Sequence, residues 1–307
     1  MEKKSILVTE FFPDDALKLF ANSKNLRVDV IFGLKEKGLI QIIHKYDALV
    51  LQHNLKITKS ILDRAERLKL IIRAGTGLDN INTDYASQLG ITVMNTPVNG
   101  DSVAELTICM MLALARNLVL ANDTYKSNLK VESIDFIGSE LNHKVLGILG
   151  LGRIGIKVAE FAKAFGMKVL AYDKYNLKKK CSKLNISPAS FSTLLKKSDY
   201  ITIHVPFSEK NINLIDKKEF DQMKTGVKIL NLARDRIINE KELYIAIKSG
   251  KISGAALDVL SKHAHRRLLK CKNVIVTPHI GGMTIDAQKR INFMAAEEIL
   301  RFFRKST

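Results

Sequence analysis

The sequence predicts an α/β protein of parallel sheets with crossover helices, divided into two domains. Three observations predict it. Short β-branched or leucine-rich runs alternate with longer helical stretches along the chain. Most of those runs are continuously apolar, as strands covered on both faces by helices are. The chain has 307 residues, where one domain commonly takes about 100–200. With 46% hydrophobic and 26% charged residues, the composition is that of an ordinary globular protein.

The strand candidates are residues 6–9, 48–52 and 70–73 in the first third, then 145–149, 168–172, 201–205, 227–231, 255–259 and 274–277. Between them the apolar periodicity predicts helices over 153–165, 240–248 and 287–303. Gly166 and Gly250 fall just past two of these, where a left-handed residue is cheapest as glycine, and Thr284 with Asp286 opens the last. Residues 106–115 (LTICMMLALA) are too few to cross a bilayer and end at Arg116, so they predict a buried helix over about 102–117. That helix is apolar on nearly every face, which suits burial between domains or at a subunit interface. A second strand-helix series starts near Leu141, after the turn signal Asn95-Thr96-Pro97.

Cys109, Cys181 and Cys271 are far apart and in no ligand spacing, so neither a disulfide framework nor a metal site is indicated. The start MEKKSILVTE has no apolar stretch of signal-peptide length, and a cytoplasmic setting is expected. A net charge of +18 favours an anionic ligand. The basic residues are scattered and aromatics do not interleave with them, so no specific nucleic-acid partner is expected, and no membrane.

Val145-Leu146-Gly147-Ile148-Leu149 leads into Gly150-Leu151-Gly152-Arg153-Ile154-Gly155, placing a glycine fingerprint at a strand-to-helix turn. Gly150 permits the tight turn, Gly152 leaves room for a pyrophosphate, and Gly155 lets helix and strand approach. The first amides of the helix, with Arg153 and Ile154, face the phosphates. The next strand candidate ends in Ala171-Tyr172-Asp173. A carboxylate there accepts from the ribose hydroxyls and repels a 2′-phosphate, which predicts NAD over NADP. A glycine-rich turn of purely structural purpose is the bland alternative. Strand, glycines, helix, second strand and acid agree against it.

Arg234 follows one strand candidate, Asp258 lies in the next, and His279 follows the one after. In an open parallel sheet the ligand crevice lies outside the carboxyl ends of the strands. Taken singly, an arginine is usually a solvated surface group and a histidine a hydrogen-bonded structural one. Together they fit hydride transfer from a hydroxy acid. Histidine serves as the base for the hydroxyl proton, and arginine's fork holds the carboxylate and the developing oxyanion.

The sequence resembles the D-isomer-specific 2-hydroxyacid dehydrogenases, nearest the phosphoglycerate dehydrogenase branch without a C-terminal regulatory domain. The segments that carry the resemblance are Arg73-Ala74-Gly75-Thr76-Gly77-Leu78-Asp79-Asn80-Ile81, Val93-Met94-Asn95-Thr96-Pro97, Ser102-Val103-Ala104-Glu105-Leu106, Leu146 to Gly155, Ala233-Arg234, Ala256-Leu257-Asp258-Val259 and Thr277-Pro278-His279-Ile280-Gly281-Gly282. It implies two Rossmann-like or flavodoxin-like domains: 1–95 plus 282–307 for substrate, and 96–281 for NAD. It further implies closure on hinges near Thr96 and Gly281-Gly282, and a homodimer formed through the NAD domain. By the same resemblance Arg234 holds the substrate carboxylate and keto oxygen, and His279 exchanges the proton. Asp258 lies near the nicotinamide carboxamide. Thr96, His204, Val205, Pro206 and Ala233 border the cofactor, and Gly75, Thr76 and Gly77 offer donors to the substrate carboxylate. Lys56 and Arg73 match the phosphate contacts.

The sequence departs from the family pattern at several places. The family's glutamate that orients the catalytic histidine is His263 here, and no Asp or Glu occurs between Asp258 and Asp286. Asp235 replaces the usual glycine after the arginine, and Gln52 stands where the phosphoglycerate enzymes carry an arginine. The resemblance implies oxidation of 3-phosphoglycerate to 3-phosphohydroxypyruvate, the first step of serine synthesis. The alternatives are a hydroxypyruvate or glyoxylate reductase, or a weakly catalytic NAD(H)-sensing binding protein.

Overall fold

The computed structural model describes residues 3–21, 23, 25–127, 130–261 and 266–304. The chain forms two compact units, Met1–Asn99 with Gly282–Thr307, and Gly100–Gly281. Residues 96–99 belong to the first unit because their backbone is held there. Thr96 N–H donates to the carbonyls of Arg73 and Gly75, and Arg290 Nε donates to Val98 O.

Unit 1 is a parallel sheet of β1 (Lys4–Val8), β2 (Leu26–Val30), β3 (Ala48–Leu51), β4 (Leu70–Arg73) and β5 (Thr92–Asn95), in the order β2-β1-β3-β4-β5. Successive side chains point to opposite faces. Leu7, Leu49, Leu51 and Ile71 therefore pack with Leu39, Ile43 and Ile61 on one side. Ile6, Val8, Val50 and Ile72 meet Phe12 and Phe20 on the other, together with Ile291, Ala295 and Ile299 of the terminal helix Ile285–Arg304. The sequence reading did not pick out β2 and β5. Both are edge strands with half-buried, mixed sequences, LRVDV and TVMN, and so lack the continuous apolar run of a central strand.

Unit 2 is a parallel sheet of β6 (Val145–Leu149), β7 (Lys168–Tyr172), β8 (Ser187–Pro188), β9 (Tyr200–Ile203), β10 (Val227–Asn231), β11 (Ile252–Leu257) and β12 (Val274–Val276), ordered β12-β11-β10-β9-β6-β7-β8. The direction of strand addition reverses between β6 and β9, and that switch point opens a crevice at the carboxyl edge. The apolar helix Gly100–Ala115 is buried by unit 2 itself. Met110, Met111 and Leu114 pack in one core with Leu146, Ile148, Leu230 and Ala256 of the sheet. Among the described residues, no single helix is long and apolar enough to cross a membrane.

Candidate active site

The glycine turn sits at the switch point, after β6. Gly150 has φ +95, and a Cβ there would lie 2.8–2.9 Å from the backbone of His204 and Val205, which follow β9. A Cβ on Gly155 would stand 2.2 Å from the carbonyl oxygen of Gly150. These two glycines are required by the protein's own packing. Gly152, the N-cap of the helix Arg153–Ala164, differs from both, because a Cβ there would meet nothing within 4 Å. Backbone left bare toward open space at a helix N-terminus is the cradle a pyrophosphate fits.

Asp173, just past β7, is tied on both oxygens. Oδ2 accepts from Leu151 N–H (2.8 Å) and Lys180 Nζ (3.1 Å), and Oδ1 from Tyr175 N–H (2.9 Å). Burial alone would raise its pKa, but these hydrogen bonds and the Lys180 charge outweigh it and hold the carboxyl below its ordinary value. The acid read as a ribose acceptor therefore also braces the glycine turn, and it carries a lysine partner. His204 is neutral, its pKa pushed down to about 3 by burial. Its Nε2 is 2.9 Å from Thr202 Oγ1, while Nδ1 is shielded from solvent and has no partner in the protein. An orphaned ring nitrogen beside the glycine turn is a second feature that fits a bound dinucleotide. Val205 and Pro206 follow on the same loop, and Pro206 O accepts from Asn211 Nδ2.

Arg234, Asp258 and His279 follow β10, β11 and β12, three adjacent strands, at one carboxyl edge. Asp258 N–H donates to Asn231 O and His279 N–H to Asp258 O, so the backbone links all three segments. Two strand spacings place the Arg234 and His279 segments about 10 Å apart at their roots, within the combined reach of a guanidinium and an imidazole toward one small molecule. Asn231 fixes the arginine loop, its Nδ2 donating to Arg234 O and its Oδ1 accepting from Ala233 N–H. Arg234 Nη1 donates to Ala233 O at 2.7 Å.

Asp258 does something the sequence reading did not foresee. It is 1% exposed, and its carboxylate accepts from Thr277 Oγ1 (2.6 Å), Ile280 N–H (2.8 Å) and Gly281 N–H (2.9 Å). Both oxygens are spent on the turn that carries His279, itself at φ +58, a left-handed conformation that a non-glycine residue adopts only when its surroundings enforce it. The structure shows the carboxylate clamping the histidine turn.

A carboxylate also reaches the loop after Asp258, although the sequence places none within it. Glu240, at the start of the helix Glu240–Lys248, accepts from Ser261 N–H (2.8 Å) and Ser261 Oγ (3.1 Å). No local spacing could have signalled it, because the partners are brought together by the β10–β11 crossover. His263 lies outside the described residues.

In unit 1, Arg73 ends β4 buried, its Nη1 directed at Ala74 O. A Cβ on Gly75 would stand 1.7 Å from that Nη1, and Gly75 has φ +136, so only glycine fits beneath the guanidinium. Thr96, expected to border the cofactor, is completely buried. Its hydroxyl accepts from Gly75 N–H at 2.9 Å, making it a brace of the Gly75–Thr76–Gly77 loop. Thr76 Oγ1 donates to Asn99 Oδ1 (2.6 Å). Gln52 is buried against Gln288, at 2.8 Å. Lys56 is exposed.

Residues 108–281 match the family model described as the D-isomer specific 2-hydroxyacid dehydrogenase, NAD binding domain. The chain belongs to this family. Unit 2 accordingly carries the family's NAD-binding domain. The chain is 38% identical to a hydroxypyruvate reductase of Thermotoga maritima over 98% of its own length and 99% of the relative's. It is 41% identical to a D-3-phosphoglycerate dehydrogenase of Archaeoglobus fulgidus over 96% of its length but only 56% of that protein's. The chain thus spans about half the length of the phosphoglycerate dehydrogenases it matches. The D-lactate dehydrogenase of Aquifex aeolicus, solved with NAD and lactic acid, superposes with a TM-score of 0.87 at 30% identity, covering 98% of this chain and 96% of that one.

Proposed function

We propose that this dehydrogenase oxidises a D-2-hydroxy acid, and reduces the corresponding 2-keto acid, with Arg234 and His279 as its catalytic residues. The observation that supports the reading is the carboxyl edge of unit 2, where Arg234, the Asp258 clamp and His279 follow three adjacent strands on the same edge as the glycine turn after β6. Arg234 binds the substrate carboxylate and, through its second fork nitrogen, the oxygen on the reacting carbon. His279 takes the proton from that oxygen in oxidation and returns it in reduction. NAD, when bound, supplies the acceptor for the hydride. Gly150 and Gly155 shape the turn, Gly152 with the first helix residues Arg153 and Ile154 holds the pyrophosphate, and Asp173 holds the ribose.

The leading substrate is 3-phosphoglycerate, which would make the chain an enzyme of serine synthesis, cytoplasmic and dimeric through unit 2. Lys56 and Arg73 are the proposed phosphate contacts of unit 1, and Gly75 to Gly77 its carboxylate donors. For the dimer, exposed Leu118, Tyr125, Ile134 and Ile137 of unit 2 supply apolar surface. One observation favours a second reading, hydroxypyruvate or glyoxylate. Gln52 is uncharged and locked to Gln288 in the core, and so adds nothing to a phosphate site. A panel of 3-phosphohydroxypyruvate, hydroxypyruvate and glyoxylate with NADH separates the two. A kcat/KM at least about 100-fold higher for the phosphorylated acid supports the first, since two charge-assisted contacts contribute roughly 3 kcal/mol or more. Equal values support the second, and NADH binding with no turnover on any acid refutes both.

A further inference from the structure

The basic residues look scattered along the chain, but the parallel topology of unit 2 collects them. Every strand of a parallel sheet starts at the same edge, and six neighbouring strands here are led by a lysine. Lys272 precedes β12, Lys251 precedes β11, Lys228 is the second residue of β10, Lys197 precedes β9, Lys144 precedes β6, and Lys168 opens β7. At the usual strand separation this row spans about 24 Å. The helices that descend to the edge add to it, with Lys163 and Lys248 in their last turns. The helix dipole accounts for lysines at helix ends, but it gives no reason for one at the head of each strand.

The row is short of negative charge. Asp199 lies in it, and Lys224 neutralises that carboxylate at 2.7 Å. Among the described residues, Lys168, Lys197 and Lys248 have no ion-pair partner, and Lys144 acts on the Asp199 carboxylate only from beyond ion-pair distance. Burial and the neighbouring Lys144 hold the Lys228 ammonium below its ordinary pKa. A cavity of about 520 Å³ with Lys248, Arg267, Lys270 and Lys272 in its wall opens at one end of the row. One of about 420 Å³ with Lys163, Lys168 and Lys197 opens at the other. The NAD-binding turn and the Arg234–His279 edge are at the opposite ends of the same strands.

We infer that this amino edge of unit 2 is a binding surface for the phosphate backbone of a single-stranded nucleic acid, engaged through charge and without base readout. A linear row of cations with a chain net charge of +18 matches a linear polyanion. The surface works independently of the redox site, so ligand binding and dehydrogenation coexist on one unit.

The test is fluorescence anisotropy of a labelled oligouridylate of about 20 nucleotides, titrated with the full chain across a salt series. An oligothymidylate of equal length is run beside it. The comparison sets Lys144→Gln, Lys168→Gln, Lys197→Gln and Lys248→Gln together against a charge-matched variant of unit 1, with Lys35, Lys37, Lys45 and Lys69, all exposed, changed to Gln. The rim variant is expected to bind both oligonucleotides at least about tenfold more weakly at 0.1 M salt, with the log–log salt slope reduced by about 3. The unit 1 variant keeps the wild-type slope, and both variants keep NADH binding, which reports that they fold. Equal losses in the two variants would reduce the effect to bulk charge and overturn the inference. So would an unchanged rim variant, no binding at 0.1 M salt, or capture of anionic vesicles but not of either oligonucleotide.

Discussion

At the scale of single residues, the proposed chemistry rests on what holds His279. Its turn is left-handed and carries no glycine at that position, so the conformation persists because Asp258 accepts three hydrogen bonds across residues 277–281. Asp258→Asn keeps one acceptor oxygen but turns an amide donor on part of the set of donors that need an acceptor, and is expected to cost about 1–3 kcal/mol of stability. It should also lower kcat about 10- to 100-fold with NADH affinity nearly unchanged, because the base is displaced while the glycine turn is untouched. Stopped-flow turnover and NADH fluorescence titration separate the two effects. Equal losses in both would assign Asp258 to the cofactor. Its clamping task was not legible in the sequence, since the accepting and donating residues are far apart along the chain. The same holds for Glu240 and Ser261. Neighbours in sequence announce a turn, but only folding discloses which carboxylate it wraps around.

At the scale of elements, the strand-turn-helix from β6 to the helix Arg153–Ala164 separates glycines required by the fold from glycines required by the ligand. Gly155→Ala drives a methyl into the Gly150 carbonyl and is expected to destabilise the chain by about 2–4 kcal/mol, read as a lower melting temperature. Gly152→Ala meets open space, and as an N-cap change costs roughly 0.5–1 kcal/mol. It should leave melting nearly unchanged yet weaken NADH binding by at least about tenfold, the cost of a methyl forced against the pyrophosphate. Intact NADH affinity in Gly152→Ala would contradict the assigned cradle. This element was fully legible, because the continuous apolar strand, the fixed glycine spacing and the helical period each state one local rule. β2 and β5 were not, because edge strands obey a weaker one.

At the scale of the whole molecule, stability should respond to pH through His204. Its imidazole is neutral in the native state down to about pH 3, whereas the unfolded chain takes up a proton below the ordinary value of 6.5. The unfolded state therefore binds more protons in that window. Stability falls as pH drops from 6.5 toward 3, by at most about 1.4 kcal/mol per pH unit. Urea denaturation at pH 7 and pH 5 should show the wild type losing about 1–2 kcal/mol more than His204→Gln. Equal losses would mean that the ring is charged in the native state. The division into two units was largely legible from the turn at Asn95-Thr96-Pro97, and its placement at Asn99 rather than residue 95 follows from Thr96 and Val98 bonding back to unit 1. The lysine row was invisible in the sequence, because residues from 144 to 272 become neighbours only once their strands are parallel.

The measurement that bears most directly on the account is single-turnover reduction of a 2-keto acid with NADH by the wild type and by His279→Ala, with NADH affinity measured in both. The account predicts a loss of about 10²- to 10⁴-fold in rate with the cofactor still bound, as removal of a general acid-base requires. A variant that turns over as fast as the wild type would contradict it.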